Sequence, residues 1–314
     1  MSKLKTFKTL WKTHKRGIFI AIYNHIIKSG ILNWVNDKYF LNLTYLVHYG
    51  HFINWDNPKS FNEKLQWLKI YNRNPEYSKM VDKYEVKKYV ANIIGEKYVI
   101  PTIGVWDRVE DIPFDTLPEK YVIKCTHDSG SVSICKNKDS FDVKNAKKKL
   151  AHGLKKNLYF WGREWPYKNV KARIIAEKFI EDNSLNEDQD LRDYKLMCFN
   201  GKVKCSFVCS DRFNGEGLKV TFFDKEWKRM PFCRHYPAAE YDIPTPSTYI
   251  KMVELAEKLS KGIPFVRVDF YEVNGHVYFG EMTFFPGNGV EEFSPEEWDY
   301  TLGSWLKLPI DTMQ

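Results

Sequence analysis

Apolar residues recur along this chain with two periods, and the switch between them lays out its elements. Through residue 94 the spacing is helical. Phe61, Leu65, Leu68 and Ile70 form the apolar face of a helix that runs to about residue 75. Ser60, followed three residues on by Glu63, supplies a capping box for its start. A second helix over residues 82–94 stops at Gly95. From residue 121 the spacing becomes that of strands. Residues 121–125 and 132–135 flank a polar glycine loop, 174–180 is a further strand, and 193–199 with 202–210 make a hairpin around Asn200-Gly201. A strand pair is predicted over 218–223 and 227–230, and helices over 142–156 and 247–261. Ser294-Pro-Glu-Glu297 reads as a last helix start, with Ser294 as N-cap and Pro295 at its first position. Helices combined with antiparallel strands place the chain in the α+β class.

The clearest strand pattern spans residues 266–289, where Asn274-Gly275 is a two-residue turn of the type that demands positive φ at both positions. It puts Asp269 on the incoming strand and Glu281 on the outgoing one, a pair of hard oxygen donors able to share Mg²⁺. Solvated cross-strand acids make the same pattern, so the pair acquires meaning only from its surroundings.

At 314 residues, with 43% apolar and 16% aromatic content, the chain has material for a sizeable core. Its six cysteines, Cys125, Cys135, Cys198, Cys205, Cys209 and Cys233, lie mostly in apolar strand-like runs and form no C-x-x-C pair. They read as reduced cysteines of a cytoplasmic protein, and Cys205, Cys209 and His235 do not have zinc-site spacing. The net charge of +8 is uneven. Lys3, Lys5, Lys8, Lys12, Lys15, Arg16 and Lys28 precede the first acidic residue, Asp37. Mixed with Leu4, Phe7, Leu10, Trp11, Ile18 and Ile20, they suit a segment over residues 1–30 lying on an anionic membrane surface. A basic helix packed on the protein with its charges in water reads equally well. The apolar run at 17–23 is too short to span a bilayer, which takes roughly 20 apolar residues. No basic-aromatic groove pattern points to nucleic acid.

Four elements then occur in a fixed order: Asp82-Lys83 at a helix start, Lys124 closing a strand before Ser129-Gly130-Ser131, Glu177-Lys-Phe-Ile180 on a strand, and the acidic hairpin. That order resembles the ATP-grasp superfamily. The motifs Phe61-Asn-Glu-Lys-Leu-Gln-Trp67, Asp82-Lys83, Lys124-Cys-Thr-His-Asp-Ser-Gly130, Arg163-Glu-Trp-Pro-Tyr167, Asp193-Tyr-Lys195 and Glu281-Met-Thr-Phe284 are similar to the TupA-like ATP-grasp family of surface-polysaccharide biosynthesis.

The resemblance implies an ATP-grasp fold of two α+β subdomains clasping ATP. It divides the chain into a helical basic extension (1–75), a segment before the grasp (76–120), a small lobe with glycine loop and hinge strand (121–181) and a large lobe with the metal hairpin (182–314). Lys83 and Lys124 would meet the phosphates as point charges, and Ser129, Gly130 and Ser131 would fold over them. Glu177, Lys178, Phe179 and Ile180 would receive adenine, with a ribose contact from the acidic loop 181–190. Lys195 and Arg267 would face the γ-phosphate as catalytic cations, and Asp269, Glu281 and Thr283 would hold Mg²⁺. Thr283 stands where the wider superfamily has Asn, which leaves one or two metals open. Arg163 and Arg173 are candidates for an acidic substrate. Cys125 and His127 suggest a nucleophile, but the implied chemistry needs none.

The implied activity is an ATP-dependent carboxylate–amine ligase joining an amino acid or small amine to a sugar acid of a surface glycan. It would act in the cytoplasm, at the inner face of the membrane. Rivals are a glycan kinase using the same grasp, a glycosyltransferase-pathway protein, and a non-catalytic nucleotide-binding scaffold.

Overall fold

The computed structural model describes residues 16–182, 191–211 and 217–310. Two helices, α1 (Gly17–Lys28) and α2 (Asp37–Tyr49), pair through Tyr23, Ile27, Phe40, Leu41 and Tyr45. The predicted capping box opens α3 (Phe61–Tyr71): Glu63 N donates to Ser60 Oγ at 3.1 Å and Ser60 N to Glu63 Oε2 at 3.2 Å. The next helical stretch is broken into α4 (Glu76–Val81) and α5 (Glu85–Ile94). Asp82 makes the break, its Oδ1 accepting from Tyr84 N at 2.8 Å, because a short acid competes well for amides left unpaired at a helix start.

Four antiparallel strands, β1 (Thr102–Trp106), β2 (Tyr121–Cys125), β3 (Ser133–Cys135) and β4 (Ile174–Lys178), form a small sheet in the order β1-β4-β2-β3. Helix α6 (Val143–Leu154) covers it through Leu150, which shares a core with Tyr121, Ile123, Cys125, Ile174 and Ala176. A short helix, α7 (Tyr159–Gly162), follows. The large sheet takes β5 (Asp193–Phe199), β6 (Lys202–Ser210) and β7 (Lys219–Asp224), skips β8 (Cys233–Arg234), and adds β9 (Phe265–Val273) and β10 (His276–Thr283), in the order β10-β9-β5-β6-β7. Strand β8 pairs instead with β11 (Phe293–Ser294). Helices α8 (Tyr249–Leu259) and α9 (Glu297–Trp305) complete the core of this sheet.

That core draws on Phe61, Leu65, Met80 and Val90 as well as Leu196, Val268, Phe270 and Leu255. Packing therefore joins α3, α4 and α5 to the large sheet, across the ranges 1–75 and 76–120 read from the sequence.

Two local expectations are overturned. Residues 227–230 form no strand; they meet β7 only through the single bridge Phe223–Arg229, because Trp227 at φ 63° turns the chain back at once. Ser294 does not cap α9, since it is committed to the β11 pairing with Cys233, and the helix begins at Glu297. The basic segment of residues 1–15 lies outside the described residues. Ile20 is buried, so the apolar side of α1 that meets solvent is Phe19, Ile22 and Ile26. Among the described residues no helix is long and apolar enough to cross a membrane.

Candidate active site

One face of the large sheet gathers several of the candidate site residues. In register, Lys195 on β5 pairs with Asp269 on β9, and Asp269 pairs with Glu281 on β10. The second pairing depends on a bulge. From Val273–His276 to Phe270–Phe279 the two strands run in strict register, which would set Asp269 opposite Gly280 and turn Glu281 to the core side with Val268. Gly280 is the extra residue that shifts the register by one, so Glu281 joins Asp269 on the open face. A side chain there would crowd Asp269 O at 3.2 Å and the Tyr271 ring at 3.1 Å, so glycine suits the position. Simple alternation along the hairpin does not contain this step.

The charges on this face satisfy one another. Arg267 donates Nε to Asp269 Oδ1 at 2.7 Å and Nη2 to both Asp269 Oδ2 at 2.6 Å and Glu281 Oε1 at 2.7 Å. Lys195 reaches Asp269 Oδ2 at 2.5 Å and also contacts Asp193. Burial alone would raise Glu281, but Arg267, Lys195 and Lys83 outweigh it and hold its carboxyl at about 2. Asp269 is more deeply enclosed; burial pushes it up to about 6 against the pull of Arg267 and Lys195. Burial opposes the charge on Arg267 and Lys195 as well, yet the facing acids raise both.

Whether these residues fit Mg²⁺ can be judged from their donors. Asp269 and Glu281 are hard oxygen donors on adjacent strands, and Asp193 Oδ1 is buried with no hydrogen-bond partner, an oxygen that a cation could satisfy. Among the described residues no three His, Cys, Asp or Glu side chains converge as a ready-made metal cage. Mg²⁺ asks for less, since it is commonly held by one or two carboxylates plus substrate phosphates. Thr283 lies on the same face, its Oγ1 3.4 Å from Glu281 Oε1.

Across the cleft stands a basic wall. Lys124 on β2 and Lys87 on α5 each approach the Glu177 carboxylate to 2.5 Å. Burial opposes ionisation of Glu177, and the two lysines more than reverse it. This carboxylate is thus already engaged where an adenine amino group was expected. Lys83 donates to Asp128 O at 2.7 Å, under the glycine loop. A hollow lies between Lys83, Lys87, Lys124, Glu177 and the apolar Val86, Val99 and Ile100, with Phe279 and Gly280 of the acidic hairpin on its border. Ser129 and Gly130 are exposed at the loop tip, with Gly130 at φ 92°. Ser131 is turned inward instead: its hydroxyl donates to Asp128 Oδ1 at 2.5 Å and accepts from Cys125 N at 2.8 Å, so it shapes the loop from within. Lys178 ends β4 exposed, with Phe179 and Ile180 half-buried beyond it. Of the acidic loop expected to touch ribose, residues 183–190 lie outside the described residues.

Neither arginine offered for an acidic substrate is free. Arg163, fully buried at φ 53°, donates to Leu32 O at 2.7 Å and approaches Asp37 Oδ1 at 3.4 Å. Arg173 pairs with Asp82 at 3.0 Å and Glu85 at 2.8 Å, tying α5 to the small lobe. Cys125 lies under the loop, its thiol pushed up to about 11 mainly by burial, and His127 is buried against Lys156 O at 3.2 Å. Sequence reasoning missed Asp193, Lys87 and the bulge. Asp193 precedes Lys195 by two, the same spacing that paired Arg267 with Asp269, and Lys87 follows Lys83 by one helical turn.

The family described as TupA-like ATPgrasp matches residues 63–307. No curated protein matches the chain. Among solved structures, D-alanine–D-alanine ligase from Bacillus anthracis complexed with ATP is 18% identical over 65% of this chain, with a TM-score of 0.38. This chain spans 55% of that ligase's length. D-alanine–D-alanine ligase from Helicobacter pylori is 14% identical over 79% of this chain and 70% of its own, with a TM-score of 0.40. A RimK domain ATP-grasp protein from Sphaerobacter thermophilus is 12% identical over 75% of this chain and 70% of its own, at 0.39.

Proposed function

The chain belongs to the TupA-like ATP-grasp family, and from that premise we propose that it is an ATP- and Mg²⁺-dependent carboxylate–amine ligase acting on a sugar acid of a surface glycan. The observation that carries the reading is the charge-balanced sheet face of Asp193, Lys195, Arg267, Asp269 and Glu281 set opposite Lys83 and Lys124. Asp269 and Glu281 would hold Mg²⁺, which supplies charge neutralisation at the phosphates. Arg267 and Lys195 would exchange their carboxylates for γ-phosphate oxygens, and Lys83 and Lys124 would receive the inner phosphates. The substrate carboxylate attacks the γ-phosphorus, its new O–P bond replacing the bond to ADP. An amine then attacks the acyl carbon, phosphate departs with the C–O electron pair, and the amine gives up a proton.

The test is ATP with Mg²⁺ and glucuronic or galacturonic acid, trapped with hydroxylamine. A ligase yields hydroxamate with stoichiometric ADP and phosphate. Stable phosphorylated sugar without free phosphate would instead establish the glycan kinase.

A position on the inner face of the membrane is supported by the exposed apolar side of α1. Phe19, Ile22 and Ile26 share one face, and Ile31 and Trp34 continue the exposed apolar surface, Trp34 at 84% exposure. The basic residues of the same segment would meet anionic headgroups. Deleting residues 1–30 would also strip Tyr23 and Ile27 from the α1–α2 core. The sounder test exchanges Phe19, Ile22 and Trp34 for Ser and measures sedimentation with anionic vesicles; undiminished binding would refute the assignment.

A further inference from the structure

With Arg163 and Arg173 both committed elsewhere, the sheet face that carries Lys195, Asp269 and Glu281 holds a further buried cation. Register extends that row across the sheet. Lys195 pairs with Phe207 on β6, and Phe207 with Phe222 on β7, so both rings rise on the same face. The Arg234 guanidinium lies over them, its Cζ 5.3 Å from the Phe207 ring centroid and 6.0 Å from that of Phe222. Arg267, on β9, contacts the Phe207 ring at 5.7 Å. One ring thus lies against both Arg234 and the arginine assigned above to the γ-phosphate.

Strand β8 places Arg234 there through its pairing with Phe293 of β11, and the side chain is buried. Two residues before Phe293, Glu291 brings Oε2 to 2.8 Å from Arg234 Nε, yet out of line for a hydrogen bond. Nε and Nη1 are therefore both buried donors without an acceptor among the described residues. Idle buried donors are costly, and these call for an anion better aligned than Glu291. Glu291 is built to yield. Asn62 Nδ2 fixes its backbone O at 3.0 Å, while its side chain keeps 25% exposure. Gly287, in the 3-10 turn Pro286–Gly289 after β10, leaves that carboxylate its room: a Cβ there would lie 2.2 Å from Glu291 Cδ.

Resting on the ligase reading above, we propose that Arg234 seats the carboxylate of the acid substrate, with Glu291 holding that place until the substrate arrives. A planar carboxylate matches guanidinium donors. It takes Nη1 by one oxygen and keeps the other for the γ-phosphorus, whose bond to ADP breaks as the new O–P bond forms. A carboxylate on Arg234 and a phosphate on Arg267 need only close to about 3–3.5 Å above Phe207 to react. Phe207 and Phe222, both buried, offer no competing polar group beneath them.

The experiment reads binding without turnover. Glucuronate and galacturonate are titrated calorimetrically into wild type, Arg234→Met, Arg234→Lys and Glu291→Gln, each saturated with AMPPNP and Mg²⁺, with glucose as the neutral control and inorganic phosphate as the rival anion. Wild type should bind a uronate and not glucose. Loss of a charged hydrogen bond should weaken the uronate about ten- to a hundredfold in Arg234→Met, and Arg234→Lys should recover part of the loss. Glu291→Gln removes the competitor and should tighten uronate binding about two- to fivefold, a gain that a purely structural ion pair does not give. AMPPNP affinity within about threefold of wild type shows that a variant is folded; if Arg234→Met is not, Arg234→Lys and Glu291→Gln decide. No uronate binding by wild type, equal uronate affinity with and without Arg234, or phosphate bound with the same dependence on Arg234 would each overturn the seat. If wild type binds a uronate through Arg234 yet forms no hydroxamate, the ligase reading falls and the seat stands. If hydroxamate forms and the Arg234 variants leave the uronate KM unchanged, the seat falls and the ligase reading stands.

Discussion

The sheet face and the shelf beside it, where Lys69 on α3 joins Gly162 to Asn288 in the turn after β10, handle buried charge in opposite ways. On the sheet, Asp269 and Glu281 are each paired with a cation within 2.7 Å, so the site balances itself when empty. On the shelf, Lys69 is held by neutral acceptors. The first arrangement can exchange partners, its lysine and arginine turning from carboxylates to phosphates. The second is fixed at its cation. Arg267 and Arg163 make the same contrast: both are buried, yet one faces acids that metal and phosphate would claim, and the other is spent on backbone carbonyls and Asp37.

The largest effect should come from breaking the balanced face. Arg267→Ala strips Glu281 of its hydrogen-bonded cation and leaves Lys195 alone to balance Asp269 and Asp193; it is expected to cost about 3–5 kcal/mol in urea unfolding, with roughly a thousandfold loss of turnover. Retained activity would mean that the pairing is merely structural. On the shelf, Lys69→Met strands the Gly162 carbonyl and the Gln66 amide oxygen, and an expected loss of about 2–4 kcal/mol is checked the same way. A cost near zero would show that the shelf holds without its cation.

Asp299 sharpens the contrast through pH. Buried and bonded to Asn62 N at 3.0 Å, its carboxyl is pushed up to about 6, chiefly by burial. Since its folded value lies above the ordinary 3.8, its contribution to stability is full below about pH 4 and lost as pH rises through 6. Asp299→Asn should therefore gain about 2–3 kcal/mol relative to wild type between pH 4 and pH 8. A pH-independent difference would contradict that burial. The smallest effect is expected from the Phe19, Ile22 and Trp34 serine variant, whose stability should stay within about 0.5 kcal/mol of wild type while vesicle binding is lost.

Much of this was legible in local pattern. The Ser60–Glu63 box, the Asn274-Gly275 turn and the runs of Tyr121–Cys125 and Asp193–Phe199 each follow from a period or a capping preference that tertiary packing did not contest. Asp269 and Glu281 were also legible, but the reason they share a face was not. A bulge at Gly280 is a one-residue event that strand periodicity cannot register, and it decides the side on which Glu281 emerges. Arg163 misled for a different reason. An arginine in a polar, aromatic loop looks available, and only the fold brings the carbonyls of residues 32–35 to it. Its carboxylate partner, Asp37 on α2, lies far away in the chain.

The account's central claim is that the acidic sheet face trades its internal cations for Mg²⁺ and the phosphates of ATP. Calorimetric titration with AMPPNP, with and without Mg²⁺, on wild type and Glu281→Gln tests it most directly. Tight binding that requires Mg²⁺ in wild type and loses that requirement in Glu281→Gln is the predicted result. Equal affinity in all four conditions would contradict it.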